Sequence, residues 1–475
     1  MNADDPKKSS LVRCARTDKG VHAAGNVISL KLIVEDTDIV QKINDNLSSQ
    51  IRVWGIERTN KSFSCYQVCD SRVYEYLIPT HTFLPPHPES HLGRKLVELA
   101  EENGDAKGFE ARQEAVSDFW SVTEEMYIRP LLDSLDTQTR TLVEKAMYDF
   151  NSTDKSTSTE RESQSKPHQK NEDHGKSPVG TSDSPQDPST SLKGRSLVDN
   201  ATKSLKAAYI AAKKAYRIQP ERLERIRSAL SLYVGTRNHH NYTVQKSFRD
   251  PSAKRTIKSF VVGENPIIIN DTEWISLKVH GQSFMMHQIR KMVSMVALVV
   301  RCGCDVNRIL ESYDNNRISI PKAPGLGLLL ERPVFDTHNE RAVSKWGKEK
   351  IDFGKYEKEM EEFKQREIYE RIFREEEKDN QYVRRVIAAL HFVTDTVFAD
   401  STLSSRLSTH SRMISSSTSP PPESSLPKVQ RPVKSREGIL YLRLLTPSPM
   451  KTLDRGKADR TVYRRKKNFA HAFAQ

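Results

Sequence analysis

The chain has 475 residues, of which 36% are hydrophobic, and it carries a formal net charge of +13. Its length allows two or three domains, while the low hydrophobic share indicates that part of the chain packs no core. The longest apolar run, residues 292–300, is far too short to cross a bilayer, and the polar residues 1–11 do not resemble a signal peptide.

The first predicted domain spans residues 1–86 and is mixed in secondary structure. Strands are predicted at residues 26–33, 51–56 and 71–78, and a helix at residues 38–47, which together indicate an α/β sandwich. In the third strand, alternation sends Tyr74 and Glu75 to opposite faces of the sheet. The prolines that follow it end the sheet.

The middle of the chain changes composition twice. Residues 87–150 are acidic and helical in pattern. Residues 151–200 are rich in Ser, Thr and charge and nearly devoid of aliphatic residues, so we expect a disordered insert there.

Order is predicted to resume in a second α/β domain over residues 201–339. Helices are expected at residues 220–235 and 283–302, and strands at residues 254–262 and 273–280. Residues 340–399 have the pattern of charged surface helices, and residues 400–475 that of a disordered basic tail.

The positive charge is concentrated in two segments. Residues 201–300 hold 17 Lys and Arg against 6 Asp and Glu, and residues 425–475 hold 13 against 3. Such an excess is typical of a protein that binds a phosphate backbone, because each neutralised phosphate releases counterions. A charge for solubility or a nuclear-import tail is the alternative.

The five cysteines are scattered and odd in number, which favours a reduced intracellular protein over a disulfide framework. Cys302 and Cys304 form a C-x-C pair without a second pair, so buried or helix-end thiols are favoured over a zinc site.

Residues 16–22, with the sequence RTDKGVH, most resemble a catalytic turn. Asp18 precedes a Lys-Gly turn and lies two residues after Arg16, where backbone amides and a guanidinium both reach the carboxylate. Such surroundings suit a nucleophile or a base that stays ionised. Taken alone, the same pattern is that of a structural salt bridge.

Two further groups add to this turn. Tyr74 offers both a stacking face and a phenol, unless it is simply a core residue. His287, Arg290 and Lys291 have the i, i+3, i+4 spacing of one helical face, and a buried Arg in such a stripe needs a carboxylate such as Asp18. A solvated helix edge is the alternative.

The loop at residues 235–243, GTRNHHNYT, is polar and aromatic, as ligand-facing turns are. Its adjacent histidines have no third ligand at a plausible spacing, so no metal site is predicted.

Five motifs occur in one order: ARTDKGVHA, RVYEYLIP, GTRNHHNYT, GQSFMMHQIRKMV and PKAPGLGLLLE. With them the chain resembles the TruA-type tRNA pseudouridine synthases, and most of all their eukaryotic multisite branch. The resemblance covers roughly residues 11–395 apart from the insert.

The resemblance implies an α+β fold of two similar domains, each an antiparallel sheet with helices, around a central basic cleft. It implies that Asp18 is the catalytic carboxylate, that Arg16 holds the place of the flipped nucleotide, that Tyr74 stacks on the base and that Arg290 pairs with Asp18. His287 and Lys291 are then further substrate-binding residues.

The same resemblance sets the expected partners. The expected substrate is tRNA, with snRNA and mRNA as further candidates. The enzyme is expected to be a monomer that needs no organic cofactor and no catalytic metal and does not bind a membrane. A nuclear location is expected from the basic tail, with the mitochondrion as the alternative.

The chain departs from the family before the RTD turn. Members usually carry a strand and helix there, with a G-T-x-Y-x-G-like segment, whereas this chain has only residues 1–13. Either the sequence is a fragment or its first domain lacks a central strand, and we expect the chain alone to be poorly soluble or weakly active. An RNA-binding or chaperone protein without catalysis and a scaffold built on residues 340–475 are the alternative functions.

Overall fold

A computed structural model of the chain describes residues 9–34, 37–152, 188–382 and 437–443. The strands, numbered in chain order, are β1 (Val12–Arg13), β2 (His22–Ala23), β3 (Asn26–Lys31), β4 (Arg52–Arg58), β5 (Ser71–Pro79), β6 (Gly235–Asn238), β7 (Lys254–Val262), β8 (Ile267–Ile269), β9 (Thr272–Gly281), β10 (Leu328–Val334) and β11 (Glu437–Arg443). The helices are α1 (Ile39–Asp45), α2 (His91–Glu102), α3 (Ala106–Gln113), α4 (Phe119–Thr123), α5 (Arg129–Asp133), α6 (Thr137–Ser152), α7 (Pro188–Ala215), α8 (Pro220–Ser231), α9 (Gln288–Arg301), α10 (Arg308–Glu311), α11 (Asp336–Trp346), α12 (Glu357–Lys364) and α13 (Glu370–Asp379).

The chain divides into two compact units. The first comprises Met1–Phe83 together with Ile218–Gln475, and the second comprises Leu84–Arg217. The second unit is helical where it is described, and Ile128, Val143 and Leu205 pack together in its core. The domain boundaries drawn from the sequence stay predictions.

A seven-stranded sheet in the first unit positions the residues of interest. Its strand order is β2-β10-β5-β9-β7-β6, with β8 paired to β9. The β2–β10 pair is parallel, and the other pairs are antiparallel. In this register Leu330 lies opposite both Ala23 and Tyr74, so the turn that precedes β2 lies two strands from Tyr74.

Both faces of this sheet are covered. On one face the ring of Phe260 contacts Tyr233, which follows α8 and donates a hydrogen bond to the carbonyl of Met292 in α9. On the other face Trp274 contacts Phe373 of α13. The alternation in β5 therefore separates two buried faces, and every residue of the strand from Tyr74 onward is buried.

The second sheet of this unit has the order β1-β3-β11-β4. Strand β11 pairs antiparallel with β3 on one side and with β4 on the other. Residues 437–443, which lie inside the tail predicted for residues 400–475, thus form the strand between β3 and β4, and the disordered tail otherwise stays a prediction. The Ser- and Pro-rich composition around it concealed the short apolar run Ile-Leu-Tyr-Leu; residues 400–436 and 444–475 lie outside the described residues.

The helices differ from the predicted bounds in several places. Helix α6 reaches Ser152 and α7 begins at Pro188, so the two helices extend into the ends of the predicted insert, while residues 153–187 lie outside the described residues. Helix α9 begins at Gln288, five residues later than predicted. The segment expected as charged helices consists of α11, α12 and α13, with a π-helical turn at Gln365–Tyr369 joining the last two, and residues 383–399 lie outside the described residues.

The mixed α+β class with antiparallel sheets is confirmed, and β7 has the predicted bounds. In the described part of the chain, no helix has both the length and the apolar character needed to cross a membrane.

Candidate active site

Asp18 lies at the head of a tight turn that leads into β2. The amide of Val21 donates to the carbonyl of Asp18 at 3.0 Å, and Gly20 adopts a φ of +81°, which disfavours any residue with a Cβ. The Asp18 side chain is 27% exposed. The turn therefore presents a carboxylate that is held in place and still open to a ligand.

Arg290 is the cationic partner of this carboxylate. Its Nη1 lies 3.3 Å from Oδ2 of Asp18, while its Nε donates to the carbonyl of Ala323 at 2.8 Å. The amide of Ala323 in turn donates to the carbonyl of Arg290 at 3.1 Å. Because the guanidinium is nearly buried and planar, these two donors fix its orientation towards Asp18.

His287 also faces Asp18, but from outside the helix. Its Nε2 lies 3.5 Å from Oδ2 of Asp18, and its backbone is left-handed, with a φ of 64° at the N-cap of α9. The predicted shared helical face of His287, Arg290 and Lys291 is therefore wrong. Burial lowers the pKa of His287, and the nearby Asp18 carboxylate opposes that effect.

Lys291 points away from Asp18. Its Nζ donates to the carbonyls of Asn241 and Thr243, both at 3.1 Å. Consecutive residues of a helix are about 100° apart, so Arg290 and Lys291 cannot serve the same partner. Burial lowers the pKa of Lys291 to about 8, and Arg317 and Lys322 add repulsion.

Tyr74 lies in the sheet beside this pair. Its ring packs edge-on against Phe284 with 5.2 Å between centroids, and only 7% of the residue is exposed. Burial raises the pKa of its phenol; Arg72 lowers it and the Asp18 carboxylate adds to the rise. The phenol of Tyr74 therefore stays protonated at neutral pH.

A cavity of about 580 Å³ opens next to Tyr74. Three arginines line it, namely Arg13, Arg16 and Arg72, together with the rings of Tyr66, Tyr74 and Phe284. Arg16 is exposed and Tyr66 is 62% exposed, so both are free to contact a ligand that enters from solvent. Cationic and aromatic walls in one cavity suit a nucleotide.

The topology explains why distant residues meet. The Asp18 turn precedes β2, Tyr74 lies on β5, and β10 runs between these two strands. Arg290 is in the first turn of α9, a few residues after β9, which pairs with the other side of β5. Three segments far apart in sequence are thus gathered around the β2, β10 and β5 strands of the seven-stranded sheet.

Of the predicted site residues, the structure brings Asp18, Arg290, His287 and Tyr74 together and places Arg16 in the adjoining cavity. Lys291 supports the neighbouring loop. Sequence reasoning missed Phe284, although it lies in the GQSF motif. It also missed the Ala323 carbonyl in the PKAPGLG segment, since a backbone contact has no side-chain signal.

The GTRNHHNYT loop, predicted to face a ligand, is buried over its second half, while Arg237 is exposed. Its histidines, Asn241 and Tyr242 are buried, and burial lowers the pKa of His239 to about 3. The Asn241 side chain donates to the carbonyls of Ser312 and Asn316 and accepts from the amide of Ile318. The polar residues of this loop thus hold the backbone that receives Lys291.

Comparison with known proteins identifies relatives of this chain. A family model described as tRNA pseudouridine synthase matches residues 229–336, which include His287 and Arg290. The protein named tRNA pseudouridine synthase 1 of Schizosaccharomyces pombe is 39% identical over 393 residues, with 79% of this chain and 72% of the relative covered. The tRNA pseudouridine(27/28) synthase of Saccharomyces cerevisiae is 34% identical over 342 residues, with 72% and 74% covered.

A third relative is the protein named tRNA pseudouridine synthase 1 of Yarrowia lipolytica, which is 43% identical over 377 residues. The match covers 79% of this chain and 63% of that relative, so the chain spans somewhat less than two thirds of its length. The two relatives that are covered over more than two thirds of their length establish the relationship. The chain belongs to the family of tRNA pseudouridine synthases.

Proposed function

We propose that this chain isomerises uridine to pseudouridine in tRNA, with Asp18 as the catalytic carboxylate. The observation that carries the proposal is the arrangement of Asp18, which is partly exposed, paired with the nearly buried Arg290 and adjacent to Tyr74. Family membership supports the reaction class.

The isomerisation breaks the bond between N1 and C1′ of uridine and forms a bond between C5 and C1′. The C5 proton is lost and N1 gains a proton, so the product has the atoms of the substrate and no electrons are exchanged. The carboxylate of Asp18 attacks the sugar carbon, attacks the base or removes a proton from the sugar. All three roles need a carboxylate oxygen held beside the nucleotide, and the contact with Nη1 of Arg290 at 3.3 Å holds Oδ2 of Asp18 in place.

The base must leave its stack to reach Asp18, whose side chain is only 27% exposed. Extrusion of a nucleotide costs a few kcal/mol, and stacking against aromatic rings offsets part of that cost. Tyr74 provides such a ring, and Arg16 lies at the cavity beside it. We therefore propose that Tyr74 stacks on the extruded base and that Arg16 occupies the position that the flipped nucleotide leaves in the RNA.

Exposed cations around the site would hold the RNA backbone. Arg16, Arg317 and Lys322 are exposed, and the last two are close enough to Lys291 to lower its pKa. Cations in such positions neutralise phosphates and make binding depend on salt. Binding of tRNA should accordingly weaken as the salt concentration rises.

The experiment compares Asp18→Asn with the unaltered chain on the same tRNA and maps pseudouridine by position. Asp45→Asn is the matched control, since Asp45 is an exposed carboxylate at the end of α1. We expect Asp18→Asn to abolish the modified uridine and to leave tRNA binding within about threefold. If Asp18→Asn forms pseudouridine as fast as the unaltered chain, Asp18 is not the catalytic group. If the unaltered chain forms no pseudouridine, the proposed activity is wrong.

Two finer proposals follow from the sequence. We infer that snRNA and mRNA are further substrates and that the basic tail directs the protein to the nucleus. The first is tested by mapping pseudouridine in each RNA class after incubation, and the second by imaging the full chain and a variant in which Lys and Arg at residues 464–467 are replaced by Gln. If the full chain and the variant are both distributed evenly through the cell, the proposal of a nuclear location is wrong.

A further inference from the structure

Two arginines lie directly opposite one another at the outer edge of the seven-stranded sheet. Strand β6 ends the strand order of this sheet, and in its antiparallel pairing with β7 the partner of Arg237 is Arg255. Directly opposite residues of such a pair have side chains on the same face, with Cβ atoms about 4.5 to 5.5 Å apart, and like charges in these positions destabilise the sheet. This pair therefore carries an electrostatic cost.

Among the described residues, no carboxylate offsets that repulsion. Neither Arg237 nor Arg255 forms an ion pair in this part of the chain, and the Nε of Arg255 is buried without a hydrogen-bond acceptor. Asp250, five residues before Arg255, accepts instead from Nζ of Lys246 at 2.8 Å and from the hydroxyl of Ser252 at 2.6 Å. The two guanidiniums thus present their donors to a ligand that brings its own negative charge.

An aromatic ring holds one of the two guanidiniums in place. Cζ of Arg237 lies 5.7 Å from the ring centroid of Tyr313, which is a cation–π distance. The Tyr313 ring is fixed in turn, because its hydroxyl donates to the carbonyl of Leu232 at 3.3 Å and its edge packs against His239 with 5.4 Å between ring centroids. A guanidinium that is oriented before the ligand arrives loses less conformational entropy on binding.

His239 adds further unsatisfied groups at the same place. It is fully buried, and neither of its ring nitrogens has a hydrogen-bond partner among the described residues. Burial lowers the pKa of His239 to about 3, helped by Arg255 and Arg237, so the ring is neutral and the two arginines carry the charge. Buried polar groups without partners are rare in folded proteins, and a bound ion or water is one explanation of them. We call Arg237, His239, Arg255 and Tyr313 the edge cluster.

The arginines of the edge cluster lie on the face of the sheet that carries Tyr74. Ile257, two residues after Arg255, lies opposite Gly281, which in turn lies opposite Arg72. Arg72 and Tyr74 are two residues apart on β5, so the positions in this row share one face. Neighbouring strands are about 4.8 Å apart and β6 is three strands from β5, so the cluster is about 14 Å from β5 across the sheet. A ligand that reaches both places is extended, as a nucleic-acid strand is.

We infer that Arg237 and Arg255 form a second RNA-binding site, which binds a backbone phosphate of the tRNA some nucleotides away from the uridine at Asp18. The forked donors of arginine match the oxygens of a phosphate, and a phosphate between the two guanidiniums replaces their repulsion by attraction. RNA is favoured as the source of this phosphate because residues 201–300 hold 17 basic against 6 acidic residues and because the cluster shares a face with Tyr74. The choice of tRNA rests on the proposed function.

The first test measures tRNA binding and does not depend on catalysis. The Kd of the full chain for tRNA is determined between about 50 and 200 mM salt. A phosphate contact contributes about 0.7 to 0.9 to the slope of log Kd against log salt, so the double variant Arg237→Gln/Arg255→Gln should lose that amount of slope and bind at least about fivefold more weakly. Arg227→Gln/Arg308→Gln, the matched control, removes the same charge from two arginines that pair with glutamates and should keep the slope. An unchanged slope in the first double variant would overturn the inference.

A further variant separates binding from folding. Arg237→Glu places a carboxylate opposite Arg255, so an attractive cross-strand pair replaces a repulsive one. We expect its thermal unfolding midpoint to equal or exceed that of the unaltered chain, while its tRNA affinity falls at least as far as that of the double variant. If Arg237→Glu binds tRNA as tightly as the unaltered chain, the edge cluster is not an RNA-binding site.

The third test identifies the phosphate. Single phosphates of the tRNA are replaced by uncharged methylphosphonates, and each altered tRNA is measured with the unaltered chain and with Arg237→Gln/Arg255→Gln. At a phosphate away from the target uridine, we expect neutralisation to weaken binding to the unaltered chain but not to the double variant, because that variant has already lost the contact. If no phosphate shows this coupling, the cluster does not bind the RNA backbone and the inference is wrong.

The effect on catalysis is read from pseudouridine formation, and this arm depends on the proposed activity. The double variant Arg237→Gln/Arg255→Gln should raise KM for tRNA at least about fivefold and keep kcat within about twofold, because the cluster holds the RNA away from the reacting bond. A loss of kcat at an unchanged KM would overturn the placement of the site. If the chain is inactive but the salt slopes and the phosphate coupling are as expected, the proposed function is wrong and the second binding site stands.

Discussion

Replacement of Arg290 tests whether the fork of its guanidinium, rather than its charge alone, holds Asp18. The side chain makes two contacts at once, with Nε on the carbonyl of Ala323 and Nη1 on Oδ2 of Asp18. Arg290→Gln removes the positive charge and shortens the side chain, so that it no longer extends to Asp18. Arg290→Lys keeps the charge but has a single nitrogen, which cannot occupy both positions.

The magnitude follows from the contact with Asp18. A hydrogen bond between charged groups contributes about 1.5 to 3 kcal/mol. At 8% and 27% exposure the pair is only partly screened, so we use that range without further reduction. If the contact is needed in the transition state, kcat/KM falls about 10- to 150-fold in Arg290→Gln. We expect Arg290→Lys to lose at least half of that free energy.

The assay uses tRNA that carries tritium at C5 of uridine, because formation of the new glycosidic bond releases that hydrogen to water. Arg227→Gln is the control, since Arg227 contacts Glu224 at the same 3.3 Å but is 43% exposed. Thermal unfolding of each variant checks that the fold persists. Full activity of Arg290→Lys would refute the role of the fork, and a loss confined to tRNA affinity would refute the pairing with Asp18.

Two further predictions concern stability. Leu440 lies opposite Ile28 on one side and Ile56 on the other. Leu440→Pro removes a backbone N–H donor from the centre of this sheet, so we expect it to lower the free energy of unfolding by about 1 to 3 kcal/mol and to speed hydrogen exchange in β3 and β4. Leu440→Val keeps the donor and should not speed that exchange. Burial raises the pKa of Glu376 to about 8, so the folded chain holds an extra proton between about pH 4.5 and 8 and loses stability as pH rises through that window. Glu376→Gln should therefore lose less thermal stability than the unaltered chain between pH 5 and pH 8, whereas the exposed Glu359→Gln should follow the unaltered chain, and equal losses in all three would contradict the linkage.

The parts of the fold with a clear period were predictable. Strand β7 has the predicted bounds, because its apolar residues lie between a proline turn and a glycine. Helix α9 was placed five residues too early, because Ser283 to Met286 continue the apolar composition without a breaker. The left-handed backbone of His287 ends that run, and a non-glycine residue in this conformation has no sequence signature.

The pair of Asp18 and Arg290 was predictable for an electrostatic reason. An arginine on an apolar helix needs a buried acceptor, and Asp18 precedes a Lys-Gly turn that holds its carboxylate in place. The direction of Lys291 was not predictable, because its partners are two carbonyls of a loop. Strand β11 was not predictable for a third reason. A short apolar run inside a long polar tail forms a strand only when other strands pair with it on both sides, as β3 and β4 do here.

The position of Tyr74 depends on the opposite face of its strand as well as on the site. The neighbouring Glu75 is 2% exposed and accepts hydrogen bonds from the hydroxyls of Ser276 and Tyr369, with Nζ of Lys364 at 3.5 Å. A buried carboxylate with these partners resists displacement, because any shift of β5 would leave its charge unpaired. The helices that follow β10 therefore hold β5 in its position in the sheet, and this position places the Tyr74 ring beside Asp18.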